Sequence, residues 1–102
     1  MKPVKSKASD NVFEDLGFSA REAGHLKVKA DLLIALQEAI ARRRMRQKEA
    51  ARILRITQPR VSNLLAGRLD LFSTDTLIDL LARLGIGVRL SLRPMKKPGR
   101  VA

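Results

Sequence analysis

Between about residues 28 and 44, Leu32, Leu33, Ala35, Leu36, Ala39 and Ile40 recur at three- and four-residue spacing, which predicts a long amphipathic helix. Just upstream, Ser19-Ala20-Arg21-Glu22 reads as a capping box, so a separate short helix is expected toward His25, with a break near Gly24. A helix over about 46–54 places Ala50, Ile53 and Leu54 on one face. The next, over 58–66, does the same with Val61, Leu64 and Leu65 and is closed by Gly67 as a left-handed terminal residue. Ser73 or Thr74 caps another helix, which carries Leu77, Ile78, Leu80, Leu81 and Leu84 and stops at Gly85. The pattern predicts a mainly α fold of five helices.

After Gly85 the period changes from helical to alternating. Ile86, Val88, Leu90 and Leu92 interleave with Gly87, Arg89, Ser91 and Arg93, which predicts one C-terminal β-strand. A lone strand leaves its ladder groups unpaired. The other candidate, Asn11 to Phe18, is short and alternates poorly, so a second copy of the chain is the simpler partner. The expectation is a twofold homodimer with Val88, Leu90 and Leu92 at its interface.

Composition narrows the function. A chain of 102 residues, 45% hydrophobic, suits one core. The principal domain is expected over 10–93, with loose basic ends at 1–9 and 94–102. No cysteine and a single histidine, His25, argue against disulfides, thiolate chemistry and multi-ligand metal sites. No paired-carboxylate or phosphate-loop constellation suggests an enzyme, and no cofactor is expected. The start lacks the apolar region of a secretory signal, and no apolar run reaches the roughly 18 to 20 residues of a membrane span. A cytoplasmic protein is therefore expected. The formal charge of +11 suits an anionic partner.

That charge is concentrated. Residues 42–68 contain nine basic side chains (Arg42, Arg43, Arg44, Arg46, Lys48, Arg52, Arg55, Arg60 and Arg68) and one acid, Glu49. The same stretch predicts two short helices joined by a turn of about three residues, the layout of a helix-turn-helix. Ala51 allows close approach of the helices, and Ile56, Val61 and Leu64 anchor the turn. Thr57 can cap the second helix, with Pro59 in its first turn. Turning by about 100° per residue, this helix presents Pro59 and Asn63 outward, flanked by Gln58, Arg60 and Ser62. Asn and Gln can bond adenine, Arg can bond guanine, and the proline ring can meet a thymine methyl, so these five are candidate base readers of double-stranded DNA. Arg43, Arg46, Lys48 and Arg68, together with Thr57, are candidate phosphate contacts.

These residues carry a family resemblance. Gln47-Lys48-Glu49-Ala50-Ala51, the run from Ile56 to Leu64, and Gly67 resemble the helix-turn-helix of the Xre/Cro (lambda-repressor-like) family. Asn11 to Ser19, Leu69-Asp70-Leu71-Phe72-Ser73 and the closing strand are similar to its HigA-like antitoxin branch, over about residues 10–93. The resemblance implies a dimeric repressor that binds its own operator and neutralises a RelE/HigB-like ribonuclease toxin, with Gln47 on backbone phosphate. Toxins of that kind tend to be basic, and residues 9–18 hold three acids and no basic residue. Val12, Phe13, Glu14 and Asp15 are thus candidates for toxin docking, or for a segment that folds back over the core. An Xre-family phage or chromosomal regulator without a toxin is the alternative. The chain departs from the family pattern at two positions. Arg46 stands where Ser or Thr often caps the first motif helix, and Arg55 replaces the usual turn glycine. Either the turn at Arg55 takes another course or its charge belongs near phosphate.

Overall fold

The computed structural model of the protein describes residues 12–94. The basic ends expected over 1–9 and 94–102 lie, apart from Pro94, outside the described residues. Helix α1 spans Val12–Asp15, α2 Ala20–Arg42, α3 Gln47–Leu54, α4 Gln58–Leu65 and α5 Thr74–Arg83, with a 3-10 turn at Leu69–Leu71 before α5.

Two local expectations need correction. The anticipated break at Gly24 does not occur, because α2 runs through it as one helix of 23 residues. A glycine inside a helix costs about 1 kcal/mol relative to alanine. Here the helix is supported by packing: α1 packs against α2, and Ala23, next to the glycine, is fully buried. The Ser19 half of the capping box is formed, its hydroxyl accepting the Glu22 N–H at 3.2 Å. The fifth helix is instead α1, in the segment weighed as a poor strand.

The C-terminal strand is also overturned, for the described residues contain no β-strand. A strand exists through its ladder, and no segment of the described chain pairs with 86–92. Ile86 packs against the core, while Val88, Leu90 and Leu92 stand 43%, 75% and 85% exposed. The described residues therefore form five helices without a sheet.

The core lies where α2 crosses α5 and meets α4, with α3 packed on α4 and α5. Leu36, Leu54, Leu64, Leu77, Leu80, Leu81, Val61 and Phe72 are its largest fully buried side chains. Burying each leucine contributes about 1.5–3 kcal/mol. Ser73, rather than Thr74, caps α5 by accepting the Thr76 N–H at 3.1 Å.

All five helices close in the same way. The left-handed residues are Gly17, Arg44, Arg55, Gly67 and Gly85, with φ of 96°, 52°, 57°, 78° and 77°. In each case the following N–H reaches the carbonyl five residues back: Phe18 to Phe13, Met45 to Ile40, Ile56 to Ala51, Arg68 to Asn63 and Ile86 to Leu81, at 2.9–3.2 Å. This is the Schellman closure. For an L-residue with a side chain the left-handed conformation costs on the order of 1–2 kcal/mol. Arg55 accordingly keeps the usual turn geometry without the usual glycine.

Candidate nucleic-acid interface

Helices α3 and α4 form a helix-turn-helix whose inner faces are sealed by Ala50, Ala51, Leu54, Val61 and Leu64, all buried. The turn is closed by left-handed Arg55 and by Ile56, which packs on the core. Thr57 caps α4, its hydroxyl accepting the Arg60 N–H at 3.3 Å, and Pro59 sits within the first turn, where no helical donor is lost.

Long polar side chains from other helices tie down the carbonyl ends of the motif. Gln37 of α2 donates from Nε2 to the Leu64 carbonyl at 2.9 Å and to that of Leu65 at 3.4 Å, at the end of α4. Arg83 of α5 donates to the Leu54 carbonyl at the end of α3. Arg43, after α2, donates to the Leu84 carbonyl at the end of α5 at 2.7 Å. Hydrogen bonds from a charged donor contribute about 1.5–3 kcal/mol, and these also place cations at the negative poles of helices. Gln37 carried a detectable sequence signal, as a polar residue set among Leu33, Leu36 and Ile40 on the inward face of α2. Arg83 carried none.

Four of the five candidate base readers line the outer side of α4: Gln58, Pro59 and Ser62 are exposed and Asn63 is half-buried. Arg60 departs from them. Its guanidinium lies 4.3 Å from the centre of the Phe72 ring, and its Nη1 donates to the Leu71 carbonyl at 2.9 Å. At about 100° per residue, position 60 falls beside the core-facing side of Val61 and Leu64, which explains the turn toward Phe72. The contact fastens α4 to the 3-10 turn.

The phosphate candidates divide similarly. Arg46, Gln47 and Lys48 are exposed around the first turn of α3, and Thr57 is exposed at the start of α4. The start of α3, without a side-chain cap, offers unpaired backbone N–H groups, whereas at the start of α4 Pro59 has none and that of Arg60 is held by Thr57. Both starts present the positive end of the helix dipole, which suits phosphate. Arg46 occupies the cap position of α3 without a side-chain capping bond. Arg68 is exposed and sits 3.5 Å from Asp70, a solvent-facing pair that holds it weakly. Arg43 is already committed to Leu84.

The toxin-docking candidates lie on α1. Val12, Glu14 and Asp15 are exposed, whereas Phe13 is half-buried and meets Phe18 edge-on, with ring centroids 6.2 Å apart. No helix among the described residues is long and apolar enough to cross a membrane.

A family model described as a helix-turn-helix domain matches residues 12–93. A solved structure assigned to the XRE family of transcriptional regulators is similar with a TM-score of 0.67 and 34% identity, over 79% of this chain and 91% of that one. No curated protein matches the chain.

Proposed function

The chain belongs to the helix-turn-helix family of XRE-type DNA-binding transcriptional regulators, and from this premise we propose that it is a sequence-specific repressor. It reads operator bases with Gln58, Pro59, Ser62 and Asn63 and grips backbone phosphate with Arg46, Gln47, Lys48, Thr57 and Arg68. The observation that carries this reading is the exposed polar strip of α4, held on a buried apolar face and bordered by the starts of two helices. Arg60 serves it by positioning α4 against Phe72.

Selection of duplexes from a random pool tests the reading. The wild-type protein should enrich one sequence. Asn63→Ala and Gln58→Ala should lose that preference by about 1–3 kcal/mol per matched base, while Lys48→Ala should weaken all duplexes alike. Equal weakening of selected and random duplexes by all three would overturn base reading.

A second reading concerns partners. The acidic, apolar surface of α1 and of the turn after it, with Val12 41%, Leu16 69% and Phe18 42% exposed, supports docking of a basic RelE/HigB-like toxin and hence an antitoxin role. The exposed Val88, Leu90 and Leu92 support a homodimer, which would read two half-sites about 34–36 Å apart or a multiple of that spacing. Glu14→Lys with Asp15→Lys should abolish capture of such a toxin and spare duplex binding. Unchanged capture would defeat α1 as the docking element, and a wild-type chain that captures no such toxin would leave the regulator without a toxin as the better reading.

A further inference from the structure

All five helix closures impose one backbone conformation, yet they do not use one residue. Gly17, Gly67 and Gly85 occupy the left-handed position after α1, α4 and α5, where arginine stands after α2 and α3. Glycine meets this backbone requirement without strain. The two exceptions flank a single element: Arg44 precedes the start of α3 and Arg55 follows its end. Each is also close to a helix start, since Arg44 is three residues before Gln47 and Arg55 two before Thr57.

Internal bonding does not account for them. Arg43, Arg60 and Arg83 each donate to a backbone carbonyl within the fold. Arg44 and Arg55 are exposed, and among the described residues neither guanidinium makes a hydrogen bond or an ion pair. Both stand in the segment where nine basic residues face one acid, so each also meets like-charge repulsion. Strain held at a position with no intramolecular return is characteristic of functional sites.

We infer that Arg44 and Arg55 are two further DNA-backbone contacts, one on either flank of α3, each held in a strained conformation because its guanidinium neutralises a phosphate. This inference rests on the operator-binding reading and extends its phosphate grip.

The test uses the full chain and a random-sequence duplex of about 30 base pairs, because phosphate contacts need no operator. Binding is measured across a salt series with wild type, Arg44→Gly, Arg55→Gly, Arg55→Lys and, away from the motif, Arg89→Gln. Each glycine variant should weaken binding several-fold and lower the slope of log affinity against log salt by about 0.9. Its Tm should rise by a few degrees as the strain is released. Arg55→Lys should keep the wild-type slope, as should Arg89→Gln. Glycine variants that bind with unchanged affinity and slope overturn the inference while leaving operator binding intact, and a lowered Tm overturns the strain argument beneath it. A wild-type protein that binds no duplex overturns the operator-binding reading, and this inference with it.

Discussion

The α3–α4 hairpin and the segment 86–94 are both rich in apolar positions, but they end in opposite conditions. In the hairpin Ala50, Ala51, Leu54, Val61 and Leu64 are buried, and the closing carbonyls of both helices receive donors from α2 and α5. In the segment, Ile86 reaches the core while Leu90 and Leu92 lie in solvent. The contrast teaches that an apolar period is not sufficient to place a segment. The hairpin is held because neighbouring helices satisfy its side chains and its backbone ends together, and this fixes the polar side of α4 in the position that the proposed base reading requires.

The comparison would break most severely at the buried anchor of the hairpin. Leu64→Ala should destabilise the protein by about 2–5 kcal/mol in chemical denaturation, with duplex binding lost as α4 detaches. A loss below about 1 kcal/mol would show that the hairpin does not depend on its core contacts. Next in size is the cross-helix tie: Gln37→Leu should cost about 1–3 kcal/mol by leaving the Leu64 carbonyl without its side-chain donor. Arg60→Ala should cost about 0.5–2 kcal/mol through loss of the Phe72 stack. A larger effect of Arg60→Ala on sequence preference than on stability would return that residue to the reading edge. Smallest for the isolated chain is Leu90→Asp, within about 0.5 kcal/mol. Its effect should appear in sedimentation, as a shift toward monomer if Val88, Leu90 and Leu92 form the homodimer interface.

Much of the site was legible because helix signals are local. Thr57 and Ser73 as caps, Gly67 and Gly85 as terminators, and the alternation of Val61 and Leu64 with Gln58, Ser62 and Asn63 depend on residues a few positions apart, and the structure bears these out. Arg60 was harder. Its spacing placed it at the margin of the polar face, and only the location of Phe72, twelve positions on, turned it from solvent to a ring. The break expected at Gly24 fails for a similar reason: one weak helix former was weighed without the packing of α1 on the same helix.

The left-handed Arg55 stands between these cases. The family pattern singled out the position, where glycine is usual, and left its conformation open; the left-handed closure there, and its recurrence at Arg44, became visible only in the backbone.

The amino-acid order alone determined where α3, α4 and α5 start and stop, which of their faces turn inward, and that the basic charge gathers on a helix-turn-helix, because capping, periodicity and charge density are short-range along the chain. The tertiary structure decided which carbonyls Gln37, Arg43 and Arg83 reach, that Arg60 packs against Phe72, and that 86–92 forms no strand. Those outcomes depend on contacts between distant positions, such as Arg43 with Leu84, 41 residues apart. A flexible side chain or an unpaired strand takes its place only once the surrounding elements have taken theirs.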